Sequence, residues 1–287
     1  MSTRPASEFV PIPTYGRVFA AVRRPGLADC APSGRLRLDA VARWMQDVAY
    51  ADVDDAGVAG HALWILRRTR IRVNRFPQIN EPQLIRTFCS GVGRLVAERR
   101  TVLSPVDDPD RADVDTASLW VHLDPDTRRP SRVTRDEYDA LANNGYGERL
   151  VSHRLIHPRP EPGSGVKLFD WRFRRVDADV ADHVNNAVYW EPLEEELLAA
   201  ESEGPEAPTD PTDPTDPTDP TDPVGPPVVP SPLATFDVEL EFRDGAQPGP
   251  AHYLADGPDA RFILAGDGDL LATILIQRSV AALAAGA

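Results

Sequence analysis

The chain has 287 residues, 41% of them hydrophobic, with 31 Lys plus Arg against 45 Asp plus Glu, a formal charge of −14. That length and apolar content supply one large or two moderate folded units and exclude a wholly disordered chain. The acidic balance argues against nonspecific nucleic-acid binding, and the absence of a signal-like start or of an apolar run near the ~20 residues of a membrane span predicts a soluble, cytoplasmic protein.

In chain order, RVFAAVRR at 17–24 reads as a strand, followed by the turn-rich DCAPSG. LRLDAVARWMQDVAYADVDDAG then places Leu38, Val41, Ala42, Met45, Val48 and Ala49 at helical spacing, and Gly57 is its stop. In LWILRRTRIRVNRFP, Ile65, Thr69, Ile71 and Val73 share one strand face and Arg68, Arg70 and Arg72 the other, with Arg67 interrupting the apolar side. Three more strands follow, EPQLIRTFCSG, GRLVAERRTVLS and DTASLWVHLD, separated by Gly, Pro and Asp turns. One strand, a long helix and a run of strands predict an α+β unit, the helix packed on an antiparallel sheet.

Residues 125–165 read as a connection with a short helical piece, TRDEYDALA, after which the pattern restarts. VKLFDWRFRRV is a strand, HVNNAVYWEPLEEELLAAE has a helical tail, and ATFDVELEFRD, PAHYLAD, DARFILAG and LLATILIQRSV are four strands. The repeated order predicts an internal duplication, with domains at 1–140 and 141–287 packed into one body. Between the second helix and its strands lies a Pro/Thr/Asp tract, 203–232, built on PTDPTDPTDPTDPTDP. Proline density and acidic self-repulsion make it an extended, solvated linker loop.

Cys30 and Cys89 are the only cysteines, too few for a disulfide framework, and each reads as a small buried apolar residue. No glycine-rich phosphate loop, CxxC pair, HExxH or GxSxG is present, so no metal site, nucleotide or organic cofactor is predicted.

The informative segment is RRVDADVADHVNNAVYWEPLEE, where a strand delivers Asp177, Asp179, Asp182, His183, Asn185 and Asn186 to the start of a helix. A helix start offers free N–H groups and a positive dipole end to a developing oxyanion, and a carboxylate or imidazole beside it can take a proton from water. HVNNAVYW after a D-x-D strand end resembles the hotdog-fold thioesterases, above all the acyl-acyl carrier protein thioesterases, in which two hotdog domains lie in one chain. GRLRLDAVARWMQDVA resembles that family's first long helix, and LRRTRIRVNRFPQINEPQLIRTFCSGVGRLVAERRTV its Arg-rich strand, R-x-P turn and following strands.

The resemblance implies a double hotdog that hydrolyses acyl-acyl carrier protein without a cofactor, with a carrier-protein or coenzyme A thioester as substrate. It implies either a monomer with an intrachain pseudo-dimer or a homodimer. Asp179 and His183 fall on the motif's Asp and His and are the catalytic candidates; Asn185 and Asn186 match the pair that follows and are substrate-binding candidates. The bland alternatives are a capping carboxylate for Asp179, a satisfied imidazole for His183 and junction hydrogen bonds for the two asparagines. Trp44 and Met45 on the first helix are core residues that also limit chain length where core and acyl tunnel overlap. Arg68, Arg70 and Arg72 are a solvated sheet face or a docking stripe for an acidic carrier or coenzyme A phosphates. Two departures from plant-type members stand out: Ala181 where an Asn precedes the His by two residues, and Gly245 where an acid follows the strand. Asp182 and Asp244 are the neighbouring carboxylates that would take over by a small geometric change. With those departures, a non-hydrolytic acyl-binding protein is the alternative, and an acyl-CoA thioesterase or a hotdog dehydratase a further one.

Overall fold

Each half of the chain lays down a strand, a helix and four more strands. The computed structural model describes residues 9–160, 166–202 and 236–278; the Pro/Thr/Asp tract lies outside them. The first half comprises β1 (Phe19–Arg23), α1 (Leu38–Asp55), β2 (Leu63–Val73), β3 (Gln83–Val92), β4 (Val96–Pro105) and β5 (Val114–Leu123). A connection carrying α2 (Arg135–Leu141) leads to β6 (Lys167–Phe173), α3 (Glu191–Ser202), β7 (Phe236–Phe242), β8 (Gly249–Asp256), β9 (Ala260–Ala265) and β10 (Leu270–Arg278).

The ten strands form one antiparallel sheet in the order β1-β3-β4-β5-β2-β7-β10-β9-β8-β6. Read outward from the β2–β7 junction, the two five-strand halves have the same connectivity, which is the expected α+β double hotdog. The two helices share one sheet face over a continuous core that runs from Val41, Met45 and Val48 through Trp190 and Leu193 to Ile71, Val238 and Ile274. All six apolar positions expected of the first helix are buried. The second helix begins differently: Asn186–Trp190 is a 3-10 turn that leads into α3. Pro192 lacks the N–H that an α-helical bond back to Val188 would need, so the tighter winding serves the first turn.

The junction also corrects two expectations from β2. The β2–β5 register shifts between Leu66 and Arg68, so Arg67 is a bulge. A bulge reverses side-chain parity, and Leu66 enters the core while Ile65 is half exposed. Arg67 Nη1 instead donates to the carbonyl of Phe242 at 3.1 Å.

Nor are Arg68 and Arg70 a solvated stripe: they are 8% and 6% exposed. Opposite Arg68, Arg70 and Arg72 in register stand Glu241, Glu239 and Asp237 of β7. Arg70 grips Asp237 with two bonds of 2.8 and 2.7 Å, and Arg72 shares the same carboxylate at 2.8 Å. Phe9 lies over Arg70 and Arg72 at 4.6 and 4.7 Å, while the connection places His157 Nε2 2.8 Å from Glu239. Arg68 and Arg70 are therefore committed to holding the two halves together and are withdrawn as docking groups; Arg72, 39% exposed, remains paired with Asp237.

Candidate active site

β6 ends at Phe173, and a 3-10 turn over Arg175–Asp177 reverses the chain. Asp177 holds that turn by accepting the Arg174 backbone N–H at 2.6 Å. The loop that follows closes on itself: Asp179 N–H donates to the His183 carbonyl (2.9 Å) and Asp182 N–H to the Asp179 carbonyl (3.0 Å). Closure puts Asp182 at φ 60°, a left-handed conformation that Asp tolerates better than bulkier residues.

Both oxygens of the half-buried Asp179 carboxylate are engaged. Oδ1 accepts the Ala181 N–H at 2.8 Å and Oδ2 accepts Asn185 Nδ2 at 3.1 Å. Asn185 is the N-cap of the 3-10 turn, its Oδ1 accepting the Ala187 N–H at 2.9 Å. The same oxygen accepts Gln46 Nε2, from α1, at 3.0 Å. Asn185 thus joins Asp179 to the first half of the chain, a larger part than a local hydrogen-bonder would play.

His183 is exposed, and its Nδ1 lies 2.9 Å from the Ala181 carbonyl. A carbonyl only accepts, so Nδ1 carries the hydrogen and a neutral ring presents Nε2 as an open base. Gly245 faces this ring: a Cβ at Gly245 would stand 3.0 Å from His183 Cδ2 and 3.7 Å from Nε2. The position aligned with the family's acid is therefore beside the imidazole, but without a side chain. Asp244 turns its Oδ1 to the Gly245 N–H at 2.9 Å and closes its own turn.

Tyr189 ties this loop to the motif. Its hydroxyl accepts the Ala246 N–H at 2.8 Å, while Val184 N–H donates to the Ala246 carbonyl at 3.0 Å. Burial pushes the phenol up to about 12, so Tyr189 stays protonated and acts as a strut.

The first half contains the same scaffold with different side chains. Ala31 N–H donates to the Arg35 carbonyl, Gly34 N–H to the Ala31 carbonyl, Arg37 N–H to the Asp29 carbonyl and Leu36 N–H to the Pro77 carbonyl, at 2.8–3.0 Å. These repeat the bonds of Asp179, Asp182, Asn185 and Val184, and Gly34 has φ 84° where Asp182 has 60°. Ala31, Arg35, Arg37 and Phe76 consequently occupy the places of Asp179, His183, Asn185 and Gly245. Arg35 is 2% exposed, paired with Glu194 at 2.7 Å and with Glu201, and stacked 4.8 Å from the Phe76 ring. Only the second copy offers an exposed imidazole and a carboxylate. The shared spacing was legible: DCAPSGRLRL and DADVADHVNN both begin on the turn-closing Asp.

Met45 and Asn186 line a narrow crevice of about 10 Å³ between α1 and the sheet, with Leu66, Trp120 and Trp190. That is room for about one water and not for an alkyl chain. Trp44 lies elsewhere, in an open groove of about 350 Å³ between β1 and α1, which Arg23, Asp47, Gln46 and Asn185 also line. Gln46 borders both spaces. Among the described residues no group of three or more His, Cys, Asp or Glu is placed to hold a metal ion, and no helix is long and apolar enough to cross a membrane.

Residues 27–141 match the acyl-ACP thioesterase N-terminal domain. An uncharacterized protein of Mycobacterium tuberculosis is 29% identical over 188 residues, covering 64% of this chain and 72% of the relative. Oleoyl-acyl carrier protein thioesterase 2 of Arabidopsis thaliana is 27% identical over 171 residues, covering 53% of this chain and 46% of that protein. The fold is similar to that of the 12:0-ACP thioesterase from Umbellularia californica, with a TM-score of 0.62 at 18% identity over 93% of this chain and 98% of the other. An acyl-ACP thioesterase from Bacteroides thetaiotaomicron superposes with a TM-score of 0.60 at 14% identity, over 91% and 98% of the two chains. The first half of the chain thus resembles the N-terminal domain of the acyl-ACP thioesterases, and the described residues share the double-hotdog fold of solved members of that family.

Proposed function

We propose that the protein hydrolyses acyl-acyl carrier protein to a free fatty acid and the carrier thiol. Residues 1–140 hold the acyl chain and residues 141–287 carry the chemistry. The observation that carries this is the contrast between two equivalent scaffolds, of which only the second presents an imidazole with an open Nε2 beside a helix start.

In the reaction, the thioester carbonyl approaches the Asn186 N–H at the start of the Asn186–Trp190 turn, the Ala187 and Val188 N–H groups being held by Asn185, and the dipole favours the developing oxyanion. Water attacks the carbonyl carbon while His183 Nε2 takes its proton. Collapse of the tetrahedral intermediate breaks the C–S bond, and the imidazolium returns the proton to the departing thiolate. Asp179, held at both oxygens, sets the geometry of the loop that carries His183. General-base assistance of this kind contributes about 10²- to 10⁴-fold. The acyl chain enters the crevice beside Met45 and Asn186 by displacing the side chains that close it.

Gly245 and Ala181 favour a second function, acyl binding without hydrolysis, because neither supplies the polar side chain of plant-type members. Thiol release from an acyl-carrier-protein panel of short to long chains, beside acyl-CoA controls, separates the two. Turnover on the carrier panel is expected; saturable binding without thiol release would establish the non-hydrolytic alternative, and turnover confined to acyl-CoA would replace the carrier as substrate.

A further inference from the structure

Gln46 is a half-buried polar residue of α1, between core-facing Met45 and exposed Asp47, and it belongs to the half of the chain without the catalytic candidates. Its Nε2 lies 3.0 Å from Asn185 Oδ1, which the Ala187 N–H already caps at 2.9 Å. The cap alone does not need a second donor. What the second donor adds is orientation: with two N–H groups on Oδ1 and the Asp179 carboxylate 3.1 Å from Nδ2, flipping the Asn185 amide would set three contacts into repulsion.

The scaffold match strengthens the point. Leu38 and Asn186 are equivalent helix-start positions, and eight residues beyond them stand Gln46 and Glu194. Each reaches across to the opposite helix start. Glu194 Oε2 accepts the Leu38 N–H at 2.9 Å, while Gln46 donates to the cap of the other helix. One member of this reciprocal pair is a buried anion held by Arg35; the other is a neutral amide beside the catalytic candidates.

We propose that Gln46 is a positioning residue of the active site, fixing Asn185 and through it the Asp179 carboxylate, so that a helix of the first half completes the site of the second. The proposal presupposes the thioesterase centre described above. The charged groups around Gln46 are Arg23 of β1, Asp29 of the preceding turn, Arg43 and Asp47 of α1, and Asp179 through Asn185.

Two variants separate positioning from packing. Gln46→Met removes the donor and keeps the volume; Gln46→Glu replaces it with a carboxylate that can donate only when protonated. The expected result is a kcat about tenfold lower for Gln46→Met with KM within about twofold, and a larger loss for Gln46→Glu whose ratio to wild type recovers as pH falls. A simple packing defect has no reason to recover in acid. Asp179, followed by carboxyl ¹³C NMR titration in wild type and Gln46→Met, gives a readout independent of turnover, and its titration is expected to move.

Unchanged kcat and unchanged Asp179 titration would overturn the proposal, as would a loss of kcat with unchanged titration and a lowered Tm. Should wild type release no thiol from any substrate, the thioesterase function fails by itself and the Asp179 titration alone decides the role of Gln46.

Discussion

The imidazole of His183 lies against the bare backbone of Gly245, where a Cβ would come within 3.0 Å of Cδ2. In the equivalent corner of the first half, Arg35 is roofed by the Phe76 ring at 4.8 Å and sealed into ion pairs. One corner is packed shut and the other is left open, and the difference is made by four side chains on the same hydrogen-bonded frame.

The openness at Gly245 has a measurable consequence. Gly245→Ala forces the His183 ring to give by a few tenths of an ångström and is expected to lower kcat roughly three- to thirtyfold, since small misplacements of reacting groups are costly. Stability is expected to change by less than about 1 kcal/mol at this exposed turn. Paired kinetic and thermal-melt measurements check both.

The sealed corner behaves oppositely. Burial, opposed by Arg35 and the Leu38 N–H, leaves the Glu194 carboxyl above its ordinary range. Arg35→Ala would strand it, at a cost of ~3–5 kcal/mol, whereas the Arg35→Met/Glu194→Leu pair removes both charges and is expected to lose much less. Urea unfolding midpoints of the two variants distinguish these outcomes.

At the β2–β7 junction the sign of the pH dependence follows from Glu239. Burial alone would raise its carboxyl, but the hydrogen bond from His157, with Arg68 and Arg70 nearby, outweighs that and holds it below the ordinary 4.5. A group depressed in the folded state binds more protons when unfolded, so its stabilisation is present above about 4.5 and is lost as pH falls through the folded value. Glu239→Gln is expected to be less stable near neutral pH and to show a shallower loss below pH 4.5 in acid-unfolding curves.

Met45 closes the crevice that the acyl chain would enter. Met45→Ala is expected to shift the preferred substrate toward longer chains, at a stability cost of ~2–5 kcal/mol for the truncated core side chain. The ratio of kcat/KM values across an acyl panel reads this directly, and an unchanged ratio would remove Met45 from the acyl path.

Much of the architecture is legible locally. The spacing of Leu38, Val41, Met45 and Val48 gives α1, because that period reports a single buried face, whereas β4 and β5, buried almost throughout, are legible as runs between Gly, Pro and Asp turns. What the sequence hides is long-range pairing. Arg68 and Arg70 read as solvated until β7, more than 160 residues later, brings Glu241, Glu239 and Asp237 opposite them. The bulge at Arg67 is hidden for a related reason: it is defined by the partner strand, and its trace in the sequence is one charge in an apolar row. At the site, Asp179, His183 and Asn185 stand out by residue type and spacing, whereas Gln46 reads as an ordinary helix-surface residue because its partner lies 139 positions away.

In the proposed thioester hydrolysis, His183 Nε2 is the base and the chemistry belongs to the second half alone. Thiol release from acyl-carrier-protein substrates by wild type, His183→Ala and Arg35→Met, each shown folded by circular dichroism, tests it most directly. Turnover by wild type and by Arg35→Met, with at least about a tenfold loss in His183→Ala, is the predicted result; a His183→Ala protein that turns over like wild type would contradict it.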